Sequence, residues 1–328
     1  MSEPVPQFLA VTGPTASGKT DLSLALADRL RIEVISMDSR QVYRGMDIGT
    51  DKVGGEARDA VPHHGLDVVA PGERYSAGRF ARDVRTWIPE IAARGSLPLL
   101  VGGTGFFLRA VIDPIFAEPS FDADRLRALR AYLGAQSRER LERWVERLDP
   151  DRARVAIEGG PQRMGRTLEV ALLSGRPLSW WHREAPAEAE GVRGVVVVLD
   201  LPREEMDRRI DDRVSGMVER GLVEEVQSLL DAGFSLQSPG MSGTGYREIA
   251  AYLARETTLE AAVEEIRHNT RKYARRQLTW FRHQLPDSAV RVDATEPAES
   301  QRDQVLEAWE RAGGRLPWRR PANQEVGK

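Results

Sequence analysis

The sequence predicts an α/β fold: a parallel sheet flanked by helices, interrupted by an all-helical insertion. Three observations carry this. Short apolar runs bounded by turn residues alternate with helical spacing in the first half of the chain and return once, much later. A glycine-rich loop, Gly13-Pro14-Thr15-Ala16-Ser17-Gly18-Lys19-Thr20, joins the first run to the first helix. Between about residues 120 and 190 only helical periodicity remains.

The elements follow in order. Phe8-Leu9-Ala10-Val11 reads as a buried strand, and Leu22, Leu24, Ala25, Leu26 and Leu30 mark the helix behind the loop. Glu33–Met37 is a second strand ending at Asp38, Gly65–Val69 a short third, and a helix runs from Tyr75 to Ile91. Leu97–Val101 is a strand that stops at Gly102-Gly103-Thr104-Gly105, and Val195–Leu199 is the late one. In the insertion, Leu141, Trp144, Val145 and Leu148 share a helix face, as do Leu168, Ala171 and Leu172 before Gly175 ends that helix. A capping box at Thr257 and Glu260 opens a long helix to about Phe281, with Val263, Ile266, Thr270, Tyr273 and Leu278 on its inner face. The organisation expected is a first core part at 1–119, an insertion at 120–190, core completion at 191–312 and a disordered tail at 313–328.

Composition narrows the classes. The 328 residues are 41% hydrophobic and 30% charged, which suits a soluble globular chain. No apolar run nears the roughly 20 residues of a membrane span, and Met1-Ser2-Glu3-Pro4 does not read as a signal peptide. The absence of cysteine excludes disulfides, thiolate zinc sites and cysteine nucleophiles. A cytoplasmic protein is expected. The net charge of −3 argues against wholesale coating by nucleic acid, while leaving room for a local basic face.

The Gly13–Thr20 loop matches G-x-x-x-x-G-K-T in the strand–loop–helix setting that this motif requires, so the sheet is P-loop NTPase-like. Its amides and the helix N-terminus converge on a phosphate, Lys19 adds a point charge, and Thr20 can hold Mg2+. Ligands of open α/β sheets bind at the carboxyl ends of the strands. Asp38 and Thr104 leave their strands on that edge, although an Asp there also serves as a cap and a glycine turn as a plain turn. Two basic groups stand out. Arg267, Arg271, Lys272, Arg275, Arg276 and Arg282 fall in a stretch of the long helix with no acidic residue, so the stripe of Arg267, Arg271 and Arg275 is expected to face an anion. The bland alternative pairs it with the acidic 219–231 region. Arg163 and Arg166 sit in the first turn of a helix, where cations oppose the dipole, which points to a ligand. His63 and His64 are expected in a loop and not to bind metal.

In order along the chain, Gly13–Thr20, Asp38-Ser39, Gly45–Thr50, Pro98–Thr104, Pro161-Gln162-Arg163, Gly245-Tyr246-Arg247 and Arg275–Arg282 resemble the successive motifs of bacterial tRNA dimethylallyltransferases. The resemblance implies transfer of a dimethylallyl group from dimethylallyl diphosphate to N6 of the adenosine at position 37, next to the anticodon, with Mg2+. It implies Asp38 as base, Thr104 as a positioner of amine or diphosphate, and Arg213 as a further diphosphate contact. Contacts to the tRNA anticodon stem-loop would come from Asp38, Ser39, Arg40, Gln41, Thr104, Arg127, Gln162, Arg163, Met164, Gly165, Arg166, Gly245, Tyr246, Arg247, Arg271 and Arg275, in a monomeric chain. Two departures are visible. Met241-Ser242-Gly243-Thr244 replaces a bulkier run, and Glu248 stands where the family usually has Gln, which puts a charge near RNA. The alternatives are an adenylate dimethylallyltransferase, a P-loop small-molecule kinase, or an RNA-binding switch that transfers nothing.

Overall fold

A computed structural model describes residues 5–114, 116–117 and 121–318. Six strands form one sheet: β1 (Phe8–Thr12), β2 (Ile32–Ser36), β3 (His63–His64), β4 (Leu97–Gly102), β5 (Gly194–Asp200) and β6 (Val290–Asp293). Their order is β3-β2-β4-β1-β5-β6, and every pairing within the sheet is parallel. β1 lies at the centre, with Leu9 opposite Leu99 on one side and Val195 on the other. All five of its residues are buried, as expected for a parallel strand covered on both faces. The helix behind the loop, Lys19–Ala27, packs against Ala298–Arg311, and Arg203–Glu219 packs against the long helix Leu259–Gln284.

Several expectations are corrected. The third strand is His63–His64, so these histidines pair with Val34 and Ile35 on β2 and do not lie in a loop. Gly65–Val69 is not a strand; Val69 makes one isolated bridge to Tyr43. His64 Nε2 lies 2.9 Å from Glu33, a buried carboxylate that also takes two bonds from Arg94. Its polar partners therefore explain the strand and leave both groups occupied. β6 was missed, because four residues reading Val-Arg-Val-Asp carry too little apolar signal. The cap of the long helix is Thr258, whose hydroxyl accepts from Ala261 N–H, in place of Thr257. Residues 313–318 of the expected disordered tail are ordered: Arg31 N–H donates to Pro317 O and Trp309 Nε1 to Arg315 O. Residues 1–4 and 319–328 lie outside the described residues.

The chain divides into two compact units, Met1–Ile112 with Val192–Lys328, and Asp113–Gly191. The second is helical and has its own core of Leu133, Leu141, Val145, Ala156, Met164 and Leu168. Its helix Pro161–Ser174 starts on proline and ends at Gly175 in the left-handed region, φ 71°. Leu168 and Ala171 are buried, while Leu172 faces solvent. Among the described residues, no helix is long and apolar enough to cross a membrane.

Candidate active site

The carboxyl ends of β1, β2 and β4 open into a cavity of about 750 Å3. Thr15–Thr20, Asp38, Gln41, Thr50, Asp51, Gly103, Arg213, Tyr273 and Gln277 are among the residues that line it. The turns that build it are tied together at their roots. Thr12 Oγ1 donates to Gly102 O at 2.8 Å, which locks the end of β1 to the end of β4. A Cβ on Gly102 would stand 2.0 Å from Met37 O, so only glycine lets β4 end this close to β2. That approach brings Thr104 to Asp38: Thr104 Oγ1 accepts from Ser39 N–H at 3.1 Å. Asp38 Oδ1 accepts from Arg40 N–H at 2.7 Å, so Asp38 turns the chain, as a cap would, and also lines the cavity.

On the phosphate loop, Lys19 Nζ donates to Pro14 O (2.6 Å) and Gly13 O (3.1 Å). Burial, aided by the Arg213 charge and opposed by Asp38, lowers its pKa to about 7. Arg213 donates to Thr15 Oγ1 at 2.7 Å and pairs with Asp51 at 2.7 Å, so this cation stands beside the loop. Asp51 in turn is held by Arg220 at 3.0 Å. Thr20 is exposed at the end of the loop, and Asp21 shares the cavity wall. Among the described residues, no group of three His, Cys, Asp or Glu side chains could hold a metal ion. A single hydroxyl beside a phosphate cradle still suits Mg2+, which takes one or two protein oxygens and fills its octahedron with phosphate oxygens and water.

Three side chains escaped the sequence reading. Gln277 bridges Thr15 N–H and Gly103 O. Tyr273, one turn earlier, is 37% exposed and lines the cavity beside Thr104 and Asp38, which corrects its expected place on the inner face. Desolvation by the cavity walls and the Asp38 charge raise its phenol to about 12. Glu225 accepts from Asp47, Ile48 and Gly49 N–H and from the Tyr246 hydroxyl, at 2.6–3.0 Å. Thr50 and Asp51 follow directly on this loop, and Gln41 Nε2 donates to their carbonyls. The first two stand at i and i+4 of the long helix, a spacing that could have paired them.

The expected RNA contacts divide. Gln162, Arg163, Arg127 and Arg247 are exposed, and Gly165 is half-buried. Met164, Gly245 and Tyr246 are buried and present no surface to a macromolecule. Met164 fills the insertion core, and Tyr246 shapes the 47–49 loop through Glu225. Glu248 is buried as well. It accepts from Gly245 N–H and Asn269, so its charge caps a helix and does not face RNA. Arg40 donates to Pro239 O, Gly240 O and Ser242 Oγ, and Arg166 pairs with Glu169. Arg127 pairs with Asp124. The stripe expected to face an anion meets carboxylates of its own chain in partly exposed pairs: Arg271 with Asp211 and Arg275 with Asp207 (3.5 Å), both on Arg203–Glu219. The partners are not in the 219–231 region. Arg275 is itself exposed, as are Lys272, Arg276 and Arg282 of that helix.

The fold and this cavity define a P-loop α/β protein whose phosphate-type loop opens into a cavity at the carboxyl ends of the strands. Residues 41–284 match the family model described as IPP transferase. The chain is 42% identical over 276 residues to a tRNA dimethylallyltransferase of Geobacter metallireducens, covering 84% of this chain and 89% of that protein. It is 43% identical over 276 residues to one of Thermomicrobium roseum, covering 84% and 83%. A tRNA isopentenylpyrophosphate transferase of Bacillus halodurans superposes with TM-score 0.67 at 35% identity, covering 93% of this chain and 97% of that one. A eukaryotic dimethylallyltransferase solved acting on tRNA gives 0.77 at 26% identity, covering 94% and 80%. The protein belongs to the IPP transferase family.

Proposed function

We propose that the protein transfers the dimethylallyl group of dimethylallyl diphosphate to adenosine in tRNA, at N6 of position 37, and releases diphosphate. The observation that carries this reading is the cavity shared by the phosphate loop, Asp38 and the Gly102-Gly103 turn that leads into Thr104. A bond forms between N6 and C1 of the donor as the C1–O bond breaks. The electron pair of that bond leaves with the diphosphate, and the amine proton passes to Asp38. An exocyclic amine is a weak nucleophile, so a base at this point contributes about 10²- to 10⁴-fold. Loop amides, Lys19 and Arg213 would turn to the departing charge, where loss of one preorganised donor costs about 2.7–4 kcal/mol. Mg2+ bound at Thr20 would supply further neutralisation of the diphosphate.

Thr104, with Tyr273 beside it, would orient the amine or the leaving group. The target base has to leave its stack, at about a few kcal/mol. Exposed Gln162, Arg163 and Arg247 are the contacts that would hold the stem-loop meanwhile. A cytoplasmic location and a monomeric chain accompany this reading.

The test is incubation with Mg2+, dimethylallyl diphosphate and either unmodified tRNA or AMP, with nucleosides resolved by mass spectrometry. A dimethylallyl adduct on tRNA adenosine alone is expected. An adduct on AMP would move the protein to adenylate prenylation, and ATP turnover without adduct would refute prenyl transfer.

A further inference from the structure

We propose that Gln277 is a positioning residue for this transfer: its side-chain amide sets the spacing between the phosphate loop and the turn that carries Thr104. The inference rests on the functional reading above. Gln277 Oε1 accepts from Thr15 N–H at 2.9 Å, and Nε2 donates to Gly103 O at 2.8 Å. One planar amide thus joins the loop that would carry the leaving group to the turn beside Asp38. Glutamine suits the position because it offers an acceptor and donors on one rigid plane, and here both ends are used.

The surroundings are shaped for this bridge. Gln277 is 7% exposed although it lines the cavity, so water does not compete freely for its bonds. A Cβ on Gly103 would come within 2.3 Å of Gln277 Nε2, so the turn keeps a glycine face towards the amide. Thr15 N–H is turned to Gln277, which leaves the later amides of the loop for a phosphate. The helix bearing Gln277 is anchored elsewhere by Ile266, Ala274 and Phe281, all at most 3% exposed. Its seating therefore does not depend on a polar side chain at 277. Reacting atoms have to meet at about 3–3.5 Å, and a shift of about 1 Å can cost 100-fold in rate. A clamp between the two halves of the site acts on that distance directly.

Gln277→Met removes both bonds at nearly constant volume. In steady-state assays with dimethylallyl diphosphate and unmodified tRNA, kcat is expected to fall about 10- to 100-fold. KM for the donor rises, tRNA affinity by filter binding stays at the wild-type value, and more donor is lost to water as dimethylallyl alcohol per transfer. Gly103→Ala should reproduce this from the other side, and combined with Gln277→Ala it should be less than additive. A folded Gln277→Met protein with wild-type kcat and wild-type partition between alcohol and product, changed only in Tm, overturns the proposal. Should that variant fail to fold, Gln277→Glu keeps the acceptor and loses the Gly103 donor, and wild-type kcat in it is equally fatal. A wild-type protein that does not prenylate tRNA refutes the functional reading and the clamp with it, whereas active wild type with unaffected variants refutes the clamp alone.

Discussion

Replacing Glu225 with Gln exchanges one carboxylate oxygen for an NH2 group at almost constant volume. In the wild-type protein Oε2 accepts from Asp47 and Ile48 N–H, and Oε1 from Gly49 N–H and the Tyr246 hydroxyl. A glutamine has one acceptor oxygen; with its NH2 turned to the Tyr246 hydroxyl, which can accept, Gly49 N–H is the one donor of the four left facing another donor. An orphaned donor costs about 1–3 kcal/mol. Glu225 is only half-buried and water reaches part of the loop, so the lower part of that range applies. With one orphan the loss is about 1–2 kcal/mol, still a sizeable share of the marginal stability of a domain. The damage should concentrate in the 45–54 loop, which presents Asp51 to Arg213. Urea unfolding gives the stability change, and donor KM reads the displaced Arg213. Hydrogen exchange at the amides of Asp47, Ile48 and Gly49 localises the effect. A loss below about 1 kcal/mol with unchanged exchange there would show that the four bonds do not hold the loop.

Lys19, lowered to about 7, is mostly neutral at pH 8 in the free protein, and a bound diphosphate favours its charged form. Donor binding should therefore take up a proton near pH 8 and weaken as pH rises above 7; calorimetry in two buffers of different ionisation enthalpy that finds no uptake refutes this. Asp38→Ala should lower transfer by at least about 100-fold with little change in tRNA affinity, and near-normal turnover in that variant removes the base assignment. Neutralising Arg271 and Arg275 should leave the salt slope of tRNA binding unchanged, because Asp211 and Asp207 already pair with them. Neutralising Lys272 and Arg276 should flatten it, and the reverse ranking would return the Arg271 stripe to the RNA.

The parts of the site legible in the sequence were those whose local pattern determines their place. The phosphate loop announces its own geometry, and Asp38 and Thr104 follow from strands long enough to be seen. Tyr246 and Met164 were misjudged because a motif records which residues recur together and not which face they turn. The arginine stripe was misread for a related reason: its partners, Asp207 and Asp211, repeat the same four-residue spacing on another helix. Opposite charges at matched spacing on two helices were the available signal. Gln277 was illegible because its two bonds span 262 and 174 positions of sequence.

Strand β1 receives its two neighbours at very different moments of synthesis. β4 follows within the first third of the chain, whereas β5 begins at residue 194, 182 positions after β1 ends at Thr12. At roughly 5–20 residues per second, that interval is roughly 10–40 s. Until β4 is made both edges of this apolar central strand lack a partner, and from then until β5 emerges one row of N–H and C=O groups stays unpaired, the situation that invites pairing with another chain. Ribosome-bound chains stopped before residue 194 should therefore bind chaperones, and release them once β5 has cleared the exit tunnel; equal binding at both lengths would refute this. A reaction centre that needs residues 13 and 277 together cannot work in any unfinished copy of this protein.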